Sequence, residues 1–313
     1  MKALVTGGAG FIGSHLVDGL IQEGHEVHVL DNLISGSAGN VHPDAALHVM
    51  DIRDDGIGQL LAELKPDYVF HHAAQVDVQR SIRNPAEDAG INLIGTINLL
   101  EGCAEAKVKK VIYASSCALY GDSPHPLTEE GHPMQPTSYY GISKGTPELY
   151  LQVYAELHGL RYSALRYANV YGPRQTAKGE GGVIAIFLNR MRQGKPLIVF
   201  GDGRQSRDFV YVKDVVRANL AAIGAADDRV MNVSTAVSTT VNELIAILAS
   251  IHGHELPVIH KPARSGDILH SCLSNRRAGE WMGWEPAYSL RQGLLESYDC
   301  LFRDSTIFHS GGA

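Results

Sequence analysis

The chain has 313 residues, with 27 Lys and Arg against 34 Asp and Glu, for a formal charge of −7. At ~150 residues per domain that length fits about two domains, or one large α/β domain with an appended lobe. No basic excess exists to neutralise phosphates, so a nucleic-acid partner is not expected, and 44% hydrophobic residues exclude a disordered chain. Glycine is enriched, at 33 residues, which calls for tight turns and close backbone approach. Cys103, Cys117, Cys272 and Cys300 have no paired short spacing, so neither a CxxC site nor a disulfide framework is expected. The opening apolar run stops at Thr6-Gly7-Gly8, and no stretch approaches ~18 apolar residues. The expected setting is the cytoplasm, without a membrane partner.

In chain order, Ala3–Val5 reads as a short buried strand that runs into a glycine turn. Ile12, Leu16 and Leu20, with Val17 and Ile21, give a helix that Gly24 closes. Val27–Leu30 and Leu47–Met50 are the next strands, and a helix carries Ile57, Leu60, Leu61 and Leu64. Tyr68–Phe70 is a fourth strand, and a long helix covers roughly 86–106. Val111–Ala114 is a fifth strand, a helix spans roughly 139–158, and Tyr162–Leu165 is a sixth strand. Strands alternating with helices mean a parallel sheet, and six of them match a doubly wound nucleotide-binding sheet. After Gly172 the rhythm breaks into shorter elements. The expected fold is α/β: a doubly wound parallel Rossmann sheet over residues 1–172, with a smaller C-terminal α/β lobe over 173–313.

Gly8-Ala9-Gly10-Phe11-Ile12-Gly13 fits G-x-G-x-x-G between a predicted strand and a predicted helix, the context that gives the pattern meaning. Glycines let backbone approach a pyrophosphate, and the helix N-terminus offers free N–H groups and a positive dipole end. Asp31 ends the second strand. A carboxylate there accepts from ribose hydroxyls and repels a 2′-phosphate, which favours NAD over NADP.

Tyr140 and Lys144 stand at i and i+4, on one helical face. A free tyrosine has a pKa of ~10, and lowering it by about three units takes ~4 kcal/mol of preference for the phenolate. One cation at ~4 Å supplies about that much at an effective dielectric of ~20. Lys144 is the candidate cation, and the pair suits proton transfer from an alcohol. Ser115-Ser116 ends the fifth strand, where a parallel sheet lines its ligand crevice.

These stretches, with Leu30-Asp31-Asn32-Leu33, His71-His72-Ala73-Ala74-Gln75, Tyr120-Gly121, the run Leu165–Arg174, Arg207–Asp214 and Arg264-Ser265-Gly266-Asp267, carry a resemblance over nearly the whole chain. The chain resembles the extended short-chain dehydrogenase/reductase family and, within it, the UDP-glucose 4-epimerases. The resemblance implies Tyr140 as catalytic base and acid, Lys144 as its electrostatic partner, and Ser116 as the group orienting the sugar 4-hydroxyl. It implies NAD held by Gly7, Gly10, Phe11, Ile12, Asp31, Asn32, Ser35, Gly36, Asp51, Ile52, Ala73, Ala74, Gln75, Asn92, Ser115, Tyr140, Lys144 and Tyr167. It implies a UDP-sugar held by Ser116, Tyr140, Asn169, Arg207, Arg264, Asp267 and Ser271. The implied reaction inverts carbon 4 of a UDP-hexose through a transient 4-keto sugar.

The dehydratases of this family carry a carboxylate after the fifth strand. This chain has Ser116-Cys117-Ala118-Leu119, which favours simple epimerisation. UDP-glucuronate or a UDP-pentose as substrate, net oxidation, and an idle sugar-nucleotide or NAD-binding protein stay open as alternatives. Arg204 is a further candidate for the diphosphate, with a surface ion pair as its plain reading. Ser271, seven residues after Arg264, stands where resembling epimerases restricted to glucose and galactose carry a tyrosine, so the N-acetylated pair is expected to fit as well. The histidines lack metal-ligand spacing, and no metal is expected. Pro147 inside the catalytic helix implies a kink. The helices at 86–106 and 139–158 are apolar on more than one stripe, and resembling enzymes pair them in a homodimer.

Overall fold

The computed structural model describes residues 1–122, 126–177, 182–263 and 268–303. Its strands in chain order are β1 (Lys2–Thr6), β2 (Glu26–Asp31), β3 (Ala46–Val49), β4 (Tyr68–His71), β5 (Lys110–Ser116), β6 (Arg161–Tyr167), β7 (Asn169–Tyr171), β8 (Leu197–Phe200), β9 (Ser206–Tyr211), β10 (Arg229–Val233), β11 (Ser238–Thr240), β12 (Val258–Lys261) and β13 (His270–Ser271). The main sheet is parallel and seven-stranded, in the order β10-β6-β5-β4-β1-β2-β3. Its direction of growth reverses between β1 and β4, and a doubly wound sheet binds its ligand at the carboxyl ends beside such a switch point.

Side-chain alternation builds a core on each face. Val5 and Val29 point to one side, with Leu16, Val17 and Val216. Leu4 and Leu30 point to the other, with Ile57, Leu61, Leu99 and Leu151. Helices Phe11–Gln22 and Val212–Ala221 approach so closely that a Cβ on Gly19 would lie 2.8 Å from the Val216 side chain.

The six expected strands are present, but the sheet has a seventh. It comes from residues 229–233, far beyond the change of rhythm at Gly172. The chain leaves the layer after β6, builds part of the lobe, and returns to pair β10 along β6, so β6 is not left as an edge. In the lobe, β9 pairs with β7, β11 and β13, and β8 pairs with β12. A third apolar cluster holds it together, with Phe187, Val199, Phe209, Leu244 and Leu294.

The long helix expected over 86–106 is three consecutive pieces: Pro85–Ala89, a π-helical turn at Gly90–Ile94, and Gly95–Glu105. The helix that carries Tyr140 and Lys144 runs unbroken from Tyr139 to His158 through Pro147. Ser138 caps its start, accepting from Gly141 N–H at 3.1 Å, and Gly159 ends it with left-handed backbone. Among the described residues no helix is long and apolar enough to cross a membrane.

Candidate active site

Gly7 leaves β1 with φ +69°, its N–H donating to Leu30 O at 2.8 Å. A Cβ there would meet Ala73 N at 2.7 Å, and one on Gly13 would collide with the Gly7 carbonyl oxygen. The turn is thus closed by glycine on both sides. It delivers the chain to helix Phe11–Gln22, whose N-cap Gly10 has no side-chain cap. That uncapped end is suited to a phosphate. Asp31, buried at the end of β2, accepts from Ala9 N–H at 3.0 Å and from Leu33 N–H at 2.8 Å. Its carboxylate therefore ties the glycine turn to the next loop. Gly36 packs on it, and Ser35 is exposed alongside. Asn32 donates to Asp51 at 2.8 Å, and the Arg53 fork beside Asp51 holds that carboxyl far below its usual range. Ile52 is buried behind them.

The floor of the cleft rests on an internal chain of hydrogen bonds. Thr96 Oγ1 donates to Asn92 O at 2.6 Å, so it accepts from His71 Nε2 at 2.8 Å. His71 Nδ1 then accepts from Thr6 Oγ1 at 2.7 Å, which in turn accepts from Ala73 N–H at 3.2 Å. Burial first, and the charge of Lys144 second, keep His71 neutral by pushing it well below its usual range. Asn92, in the π-helical turn, grips the backbone of Gln75 at both ends, at 2.8 and 2.9 Å, and donates to Ser143 Oγ at 2.9 Å. Gln75 in turn donates to Asp88 at 2.8 Å. The segment Ala73-Ala74-Gln75 is held from below by Thr6, Asn92 and Asp88, of which motif reading assigned only Asn92 to the site.

Ser116 closes β5, and its Oγ accepts from Ala118 N–H at 3.2 Å. Tyr140, half-buried, opens the catalytic helix and donates its N–H to Ser81 Oγ at 3.1 Å. A Cβ on Gly141 would lie 2.6 Å from Ala118 O, so the first turn of this helix is seated directly against the segment that follows Ser116. Lys144, one turn on, is buried, and its ammonium makes no hydrogen bond or ion pair among the described residues. Its ammonium lies 4.4 Å from the centroid of the Tyr113 ring. Burial pushes it down to about 7, against the opposing pull of Asp88 and then Glu148. A buried ammonium lacking an acceptor fits a ligand that brings hydroxyl oxygens, as a nicotinamide ribose does.

Three of the expected cofactor residues serve the frame. Ser115 donates to Glu148 at 2.5 Å, and Glu148 takes a two-pronged pair from Arg166 at 3.0 and 2.6 Å. The Tyr167 hydroxyl is engaged by His72 at 3.1 Å and by Asn219 at 2.8 Å. Asn92 is fully committed to Gln75, Asp88 and Ser143. These three side chains thus support the neighbouring segments from behind. Apart from Asp88, four residues from Asn92, their hydrogen-bonding partners lie 17 to 95 residues away in sequence, which hides such roles from motif reading.

On the lobe side, Ser271 stands opposite Arg207 in the β13–β9 register. Cys117, half-buried, lies beside both: desolvation pushes its thiol up to about 11, while the charge of Arg207 and a hydrogen bond with Ser271 pull the other way. The serine–cysteine segment, Arg207 and Ser271 thus converge. Asn169 Nδ2 is buried without a partner among the described residues, ready to donate to a ligand acceptor. Arg204 is a surface residue, 3.6 Å from Asp202, and does not join the cleft. Arg264 and Asp267 lie outside the described residues.

The sequence profile of the NAD dependent epimerase/dehydratase family matches residues 3–234. The chain is 43% identical to the UDP-glucose 4-epimerase of Mycolicibacterium smegmatis, over 98% of this chain and 100% of that one. It is also similar to the crystal structure of the Thermotoga maritima UDP-glucose 4-epimerase with UDP-glucose, at a TM-score of 0.95 and 46% identity, covering 98% of this chain and 100% of that one. The Thermus thermophilus UDP-glucose 4-epimerase in complex with NAD superposes with a TM-score of 0.92 at 40% identity, covering 96% and 99%.

Proposed function

This chain belongs to the NAD dependent epimerase/dehydratase family, and from that premise we propose that it inverts carbon 4 of a UDP-hexose with Tyr140 as the proton-transfer group. The observation that carries this reading is the buried ammonium of Lys144 one helical turn beyond half-buried Tyr140, beside the uncapped glycine turn. NAD, when bound, supplies the acceptor and then the donor of the hydride at carbon 4. The residues to hold it are the glycine turn at its diphosphate, Asp31 at a ribose, the Ala73–Gln75 segment and Lys144.

The rest of the chemistry falls to side chains. The Tyr140 phenolate takes the proton of the 4-hydroxyl and returns it after the 4-keto sugar has turned over. Lys144, as an ammonium, favours that phenolate through space. Ser116 orients the 4-oxygen by donating to it. Arg207 and Asn169 face the diphosphate of the substrate, where a guanidinium fork matches phosphate oxygens. Residues 1–172, with β10 and helix Val212–Ala221 returned to them, serve the cofactor, and the remainder serves the UDP-sugar. We assign the protein to the cytoplasm as a homodimer.

Ser271 takes the place beside the sugar 2-substituent, so that UDP-N-acetylglucosamine is turned over as well as UDP-glucose. The test uses purified protein and UDP-galactose, without added NAD. UDP-glucose should form with no lasting rise in reduced-nicotinamide absorbance. A persistent stoichiometric rise would mean net oxidation, and no product at all would mean an idle binding protein.

A further inference from the structure

The geometry points to Tyr113 as the positioning residue for Lys144, its ring seating the ammonium and its hydroxyl fixing the backbone of the same residue. Tyr113 lies on β5, fully buried, three residues before Ser116. Its ring centroid is 4.4 Å from Lys144 Nζ, within the range at which a ring face attracts a cation. Its hydroxyl donates to Lys144 O at 3.0 Å. No other residue reaches both ends of the lysine among the described contacts.

Pro147 explains why a strand must fix this turn of helix. Proline has no N–H, so the Ser143 carbonyl lacks its usual helical donor. The very next carbonyl, Lys144 O, accepts in addition from the Tyr113 hydroxyl on β5. The turn that Pro147 weakens is thereby tied to the strand that carries Ser116. The two halves of the catalytic set are held in one register by a single phenol. Burial pushes Tyr113 well above its ordinary range, with Glu148 and Tyr140 adding to the effect, so it stays a neutral donor.

The groups that face Lys144 are Tyr140 and Glu148 on its own helix, Asp88 on helix Pro85–Ala89, His71 and His72 at the end of β4, and Tyr113 on β5. The two histidines are pushed down, His72 to about 3, chiefly by burial. They do not titrate on the alkaline side of neutrality. The alkaline limb of kcat is assigned to the coupled Tyr140–Lys144 pair, and the electron density of the ring beneath the ammonium shifts where that limb falls.

This inference rests on the Tyr140–Lys144 reading. The experiment places phenylalanine, then mono-, di- and trifluorinated phenylalanines, at position 113 of the NAD-loaded enzyme. Each addition withdraws charge from the ring face with little change of volume. The alkaline limb of kcat for UDP-galactose should move to lower pH along the series, by about half a unit or more in total, with KM unchanged. Tyr113→Leu should move it at least as far. A limb that stays in place through the series, even with a uniform drop in kcat, overturns the role of Tyr113. Tyr140→Phe is assayed in parallel: full activity there overturns the underlying reading instead.

Discussion

At Lys144 the fold holds a charge that burial opposes. Its folded-state value is pushed down to about 7 from 10.5. Between those two values the unfolded chain binds a proton that the folded chain does not, so this residue makes stability rise with pH from about 7 to 10.5 and adds no slope below 7. Lys144→Met should stabilise the cofactor-free protein near neutrality, and the gain should vanish towards pH 10.5. Urea unfolding at several pH values reads this directly, and an unchanged slope in the variant would place the titration elsewhere. Tyr140→Phe keeps the ring and removes the proton carrier. Turnover should fall by ~10²–10⁴-fold with NAD still bound, because a positioned acid–base group contributes about that much. Near-normal turnover would remove Tyr140 from its role. Ser271→Tyr fills space opposite Arg207. Overpacking costs ~1–3 kcal/mol, so the N-acetylated reaction should drop about tenfold or more while UDP-galactose is spared. A wild type that never converts UDP-N-acetylgalactosamine would show that Ser271 is not the gate.

The glycine turn shows the same logic on the scale of an element. Gly13 lies against the Gly7 carbonyl, and Gly7 against the backbone of Ala73. In Gly13→Ala the new methyl group has backbone on its near side and no flexible side chain to displace. The helix start must shift, at a cost of ~1–3 kcal/mol, and the NAD carried through purification should fall about tenfold. Unchanged NAD content, measured by absorbance after denaturation, would contradict this placement. The turn was legible in the sequence because its requirements are local: strand, glycines and helix follow one another within a dozen residues. Tyr140 and Lys144 were legible because helical spacing alone sets them on one face. The seventh strand was not. Its pairing with β6 joins segments more than sixty residues apart, and nothing in Arg229–Val233 marks its neighbour. Nor were Tyr113, Glu148 and Asp88, whose places follow from packing between helix and sheet. The bond from the Ser115 hydroxyl to Glu148 was not legible either, because only the folded register shows which way that hydroxyl points.

For the whole molecule, the decisive surface is the outer side of the catalytic helix. Its inner face is small and polar: Gly141, Ser143, Lys144, Gly145, Pro147 and Glu148 are buried there, with Leu151. The large apolar side chains lie outside. Ile142 is 49% exposed, Leu149 58%, Val153 48% and Leu157 73%. Their spacings of seven, four and four residues put them on a single stripe of the helix. Ile94, 57% exposed, adds to it from the neighbouring π-helical turn. The doubled apolar pattern of this helix therefore does not mean burial within one subunit. We propose that this stripe is an interface, since a twofold axis lets one stripe cover its own copy. The protein should have twice the 33.9 kDa chain mass by light scattering at micromolar concentration. Paired Leu149→Glu and Val153→Glu substitutions place like charges where the two copies would meet. They should yield a monomer that keeps its helical circular dichroism, since both side chains already face water in one chain. A wild type that is monomeric at that concentration, or a double variant that stays dimeric, would place the interface on another surface.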